Sequence, residues 1–147
     1  MFLKAESISK DFIRKRGESN VFHAVKTTDF ILEENALTIL RGASGSGKST
    51  LLNMLAGLLK PTTGRITLDG TDIYALDDTE RSKLRNCHFG IMPQGQTALH
   101  SFNVLENVLL PYTIYGEKIS HTETDYALSL LERLGIADLK DIMPSEL

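Results

Sequence analysis

The sequence predicts a mixed α/β domain with an antiparallel portion, on three observations. Segments 2–12 and 21–32 mix apolar and polar positions, with Val, Ile, Phe and Thr prominent, and the polar turn RKRGESN lies between them, so they read as two antiparallel strands. Leu37-Thr38-Ile39-Leu40 is a short apolar run ending at Gly42, as expected of a strand buried on both faces. A glycine-rich loop follows. From Lys48 the pattern turns helical, with Leu51, Leu52, Met54, Leu55, Leu58 and Leu59 recurring until Pro61 stops the run.

The later elements alternate in the same way. Residues 64–69, GRITLD, read as a strand, and Asp69-Gly70 supplies a turn. Asp77 and Glu80 have the D-x-x-E spacing of a helix start, followed by a charged helix to about Asn86. Residues 87–92 read as a strand into Pro93-Gln94, and 103–115 and 121–134 as two helices with Gly116 between them.

A length of 147 residues suits one domain. With 41% hydrophobic and 24% charged residues, 11 Gly, 4 Pro and no Trp, the chain fits disordered, collagenous and membrane-spanning classes poorly. Sixteen Lys plus Arg against 19 Asp plus Glu leave a net charge of -3, so no overall positive field would gather nucleic acid, and Arg14-Lys15-Arg16 is a short cluster. No nucleic-acid partner is expected. The single cysteine, Cys87, permits no intramolecular disulfide, and the N-terminus MFLKAESISKDF lacks an apolar run, so a cytoplasmic location is expected. His23, His88, His100 and His121 show no metal-ligand spacing.

Gly42-Ala43-Ser44-Gly45-Ser46-Gly47-Lys48-Ser49-Thr50 fits G-x-x-x-x-G-K-[ST], and it lies between a predicted strand and a predicted helix, as that pattern requires. Glycines let backbone N–H groups converge on an anion, and the helix beginning near Lys48 points its positive dipole end to the same place. Lys48 would reach the β- and γ-phosphates, Ser49 would ligate Mg²⁺, and Thr50 would hold a phosphate oxygen or cap the helix. The class of nucleotide enzyme is left open by the loop alone. Neither D-x-x-G nor N-K-x-D occurs, which disfavours GTP, and the Arg-rich lid of a P-loop kinase has no counterpart around Gln94.

GASGSGKSTLLNMLAGLLKPTTGRITLDG resembles the nucleotide-binding domain of ATP-binding-cassette transporters, in which the helix after the loop commonly runs S-T-L-L-N-x-L-A-G-L. Phe89-Gly90-Ile91-Met92-Pro93-Gln94 resembles the family's strand into its glutamine loop, and Val104-Leu105-Glu106-Asn107-Val108-Leu109-Leu110-Pro111 its T-V-x-E-N-V stretch. The E-N-V-x-L-P form and the helix LDDTERSKLR are most similar to the subfamily exporting lipoproteins, macrolides and antimicrobial peptides.

The resemblance implies a P-loop NTPase core with an antiparallel β subdomain over 1–93, and a glutamine loop with part of an α-helical subdomain over 94–147. Phe12 matches the aromatic that stacks on adenine, with Phe22 as the competing ring and a core-packing role as the alternative. Gln94 matches the glutamine that links Mg²⁺ and the attacking water to the membrane domain, although Pro93 precedes it where Phe is usual. ATP and Mg²⁺ are the implied ligands. A membrane-spanning transporter subunit and a second ATP-binding subunit are the implied partners, with the chain peripheral on the inner face of the cell membrane.

Met143-Pro144-Ser145-Glu146-Leu147 resembles the lead into the family's L-S-G-G-Q signature. The expectation is a domain cut before that signature, without the Mg²⁺-binding Asp, the catalytic Glu and the switch His. Such a chain would bind ATP and hydrolyse little of it alone. The rival readings are a non-hydrolytic nucleotide-binding module and a P-loop kinase. The segment from Gln94 to Tyr115, with Leu99, Phe102 and Val104, is expected to meet the membrane partner.

Overall fold

β-branched and aromatic residues in the first third of the chain form the two long strands that the pattern predicts. In the computed structural model, which describes residues 2–13, 21–93, 95, 97–115 and 118–147, β1 spans Phe2–Ile13 and β2 spans Val21–Glu33. The connecting turn lies outside the described residues. β3 (Thr63–Leu68) and a two-residue β4 (Thr71–Asp72) follow, and the sheet runs β2-β1-β3-β4 with every neighbouring pair antiparallel. The expected mixed α/β architecture with an antiparallel sheet is thus the one observed.

Leu3 and Ala5 point from β1 into the core, and then Ile8 does, so the inward parity switches once. An extra residue in β1 accounts for it: the register to β2 slips between Ala5 and Ile8. Ser7, at φ 49°, marks the bulge, where its N–H donates to Asp29 Oδ1 at 2.7 Å. Ile66 and Leu68 of β3 extend the same apolar face.

Helix α1 (Lys48–Leu55) covers that face with Leu51, Met54 and Leu55, the i, i+3, i+4 stripe of an amphipathic helix. It stops earlier than the leucine pattern suggests. Gly57 takes φ 71°, its N–H bonds to Met54 O and that of Leu58 bonds to Asn53 O. This left-handed glycine cap turns Leu58 and Leu59 out of the helix before Pro61 is reached. Helix α2 (Asp78–His88) begins with the expected box: Asp77 Oδ1 accepts from Glu80 N–H, and Glu80 Oε2 accepts from Asp77 N–H.

Two expected strands are absent. Leu37 to Leu40 is irregular, with Leu37 90% and Ile39 65% exposed. Cys87 and His88 complete α2, and the chain then runs irregularly, with Met92 96% exposed. A strand needs a ladder partner, and among the described residues neither segment has one. Leu40 and Phe89 still pack against the core.

The chain divides into two compact units, Met1–Ile91 and Met92–Leu147. In the second, α3 (Val104–Thr113) packs on α4 (His121–Leu134), burying Leu109, Ala127 and Leu131. Both helices start in capping boxes, Asn103 with Glu106 and Ser120 with Glu123. The expected Gly116 break lies outside the described residues.

Candidate functional site

The glycine-rich loop owes its position to one close approach. Gly47 adopts φ 87° as the N-cap of α1, and a Cβ on it would lie 2.1 Å from the Ala24 carbonyl oxygen of β2. No other residue type fits there without moving the strand. β2 therefore runs directly beside the turn from loop into helix.

The loop closes on itself. Lys48 Nζ donates to the carbonyls of Gly42 at 2.8 Å and Ala43 at 2.7 Å, and Ser46 N–H donates to Ala43 O at 3.2 Å. Gly47 has no side chain with which to cap α1, and the first helical turn carries no acidic residue. The end of α1 thus presents backbone donors and positive dipole without a carboxylate to satisfy them. In front of it lies a cleft of about 180 Å³, lined by Phe22, Ala24 and Gly45 through Thr50. Its chemistry is that of an anion cradle: backbone N–H groups, the hydroxyls of Ser46, Ser49 and Thr50, and one ammonium.

Of the predicted site residues, Gly45, Ser46, Gly47, Lys48, Ser49 and Thr50 line this cleft. Gly42 and Ala43 act through the carbonyls that hold Lys48. Ser44 lies in the turn that follows them and is exposed. Phe12 does not line the cleft; it stands directly opposite Phe22 in the β1–β2 register, with the Lys10 ammonium 5.3 Å from its ring centroid. Gln94 lies outside the described residues.

Sequence reasoning missed Ala24, which touches the loop only because of strand register, and the place of Asn107. Asn107 Oδ1 accepts from Leu99 N–H, while its Nδ2 donates to the carbonyls of Leu99, Phe102 and Asn103. One side chain so clasps the loop that presents the exposed Leu99 and Phe102. His23 pairs with Asp11 across β1 and β2, Nδ1 to Oδ1 at 2.7 Å.

The family profile described as ABC transporter matches residues 25–147. The lipoprotein-releasing system ATP-binding protein LolD of Bdellovibrio bacteriovorus is 39% identical over 145 residues, covering 99% of this chain and 64% of that protein. LolD of Xanthomonas axonopodis pv. citri is 36% identical, over 99% of this chain and 58% of its own length. Among solved structures, a dimeric post-hydrolysis state of the ATP-binding cassette MJ0796 bound to ADP and Pi superimposes with a TM-score of 0.85 at 30% identity, covering 99% of this chain and 62% of that one. The chain thus spans 58–64% of the length of these proteins.

Proposed function

The chain belongs to the ABC transporter family, and from that premise we propose that it is the ATP-binding part of a transporter ATPase, with ATP phosphates held by Gly42 to Thr50. The observation that carries the reading is the fit of Gly47 against Ala24, which holds the N-terminus of α1 uncapped and open beside Lys48. An anion in the cleft would complete donors that the fold leaves without a side-chain partner.

Lys48 would exchange its two loop carbonyls for phosphate oxygens, a gain because a charge-assisted bond to an anion is stronger than one to a neutral carbonyl. Ser49 and Gln94 would hold Mg²⁺, whose charge offsets that of the phosphates. Phe12 would stack on the base. Over the whole protein, 1–93 would form the nucleotide core with its antiparallel subdomain, and 94–147 the glutamine loop and helical part of the same domain.

The parent would couple ATP hydrolysis to transport through a membrane-spanning subunit, pair with a second ATP-binding subunit, and sit on the inner face of the cell membrane through its partner. The names of the relatives point to an export system of the lipoprotein-releasing kind. No described helix is long and apolar enough to cross a membrane, which agrees with anchorage through a partner. Leu99 and Phe102, exposed on the loop that Asn107 clasps, are the contacts assigned to that partner.

Titration calorimetry with Mg-ATP tests the reading. The chain is expected to bind weakly, and Lys48→Ala to lose most of the binding, because a desolvated phosphate charge loses its direct cation. Equal affinity in parent and variant would overturn the site. Phosphate release by the same sample is expected to stay near background, well below about 1 s⁻¹, the low end of typical enzyme turnover.

A further inference from the structure

We propose that Phe22 forms a second aromatic wall of the nucleotide site, touching the nucleoside part of the ligand between the phosphates and Phe12. This rests on the nucleotide-binding reading above and adds a residue to it. At Ala24 the backbone of β2 abuts the phosphate loop. Phe22 is two residues back along the same strand, within about 7 Å, and it lines the same cleft as Gly45 through Thr50.

Phe12 is the register partner of Phe22. Residues directly opposite in an antiparallel pair share a face, with Cβ atoms on the order of 5 Å apart. The order along this surface is therefore phosphate loop, Phe22, Phe12. A nucleoside anchored by its phosphates in the loop, with its base at Phe12, must cross the ring of Phe22.

Both rings keep the exposure such a role needs, 39% for Phe12 and 36% for Phe22, and neither belongs to the core cluster. A phenyl ring offers dispersion and π contact to sugar and base but nothing to a bare polyphosphate. Phe22 thus contributes to binding of nucleoside triphosphates and is indifferent to the triphosphate alone.

Parallel calorimetric titrations of the chain with Mg-ATP and with Mg-tripolyphosphate test this. Phe22→Ala is expected to weaken ATP about tenfold, the usual scale of losing one aromatic contact to a nucleoside, and to leave tripolyphosphate affinity as in the parent. Phe22→Tyr, which keeps the ring, is expected to restore ATP affinity. Unchanged ATP affinity in Phe22→Ala, or equal weakening of both ligands, would overturn the second wall. Tripolyphosphate that fails to bind the parent, or binds Lys48→Ala equally well, would instead overturn the phosphate site beneath it.

Discussion

Gly45 and Gly47 belong to the same glycine-rich loop and meet different constraints in the fold. Both have positive φ, 77° and 87°, so a side chain at either is strained. Around Gly45 a Cβ meets nothing within 4 Å, whereas at Gly47 it strikes the Ala24 carbonyl. Gly45→Ala should therefore cost about 1 kcal/mol of stability, the conformational term alone. Gly47→Ala should cost about 3 kcal/mol or more, because β2 must shift as well, and should weaken Mg-ATP binding. Urea denaturation of the two variants checks the ranking, and equal losses would show that the Ala24 contact is unimportant. The G-x-x-x-x-G-K-[ST] string requires Gly47 and leaves Gly45 at a variable position, but it does not say why; the reason is the Ala24 carbonyl of β2, against which Gly47 alone of the two is wedged. Phe12 and Phe22 illustrate the same limit: the sequence offers two candidate rings, and pairing places them face by face.

Short-range rules read the elements well wherever the controlling interaction is itself short-range. The D-x-x-E box at Asp77 and Glu80 is local and is found in place. The end of α1 is not readable from its leucines, because tertiary ties decide it. Tyr74 Oη shares its one proton between Met54 O, in the last turn of that helix, and Leu59 O, just beyond it, each at 2.7 Å, and Arg85 of α2 donates to Gly57 O. Burial pushes the Tyr74 phenol up to about 12. An unfolded tyrosine loses its proton near pH 10, so between about pH 10 and 12 the unfolded state binds fewer protons than the folded one, and stability falls as pH rises. Below pH 10 the contribution is complete. Tyr74→Phe should lower stability at neutral pH by about 1–2 kcal/mol, since helix-end carbonyls lose their donor. It should also flatten the decline between pH 10 and 11.5. Denaturation midpoints across that range measure both effects; a variant with the parent's slope would assign the decline to other groups.

Over the whole molecule, what the sequence could not convey is which apolar runs find partners. Leu37-Thr38-Ile39-Leu40 and the stretch after His88 have the composition of buried strands, but a strand is defined by its ladder, and no described strand lies alongside either. Their apolar side chains consequently divide. Leu40 and Phe89 pack against the core, while Leu37, Ile39 and Ile91 are exposed to solvent. Apolar, β-prone and open segments of this kind associate readily with one another. The net charge of -3 supplies only weak repulsion against that tendency. The chain alone should therefore self-associate at micromolar concentration and bind a hydrophobic dye. Replacing Leu37 and Ile39 by lysine should suppress both, because a charge on an open edge opposes pairing with another copy. The double variant removes no core contact, as both side chains are solvent-exposed, so its melting temperature should stay within a few degrees of the parent. Sedimentation velocity over a concentration series reads the outcome: a parent that remains monomeric, or a variant that associates equally, would show that these segments are not what drives association.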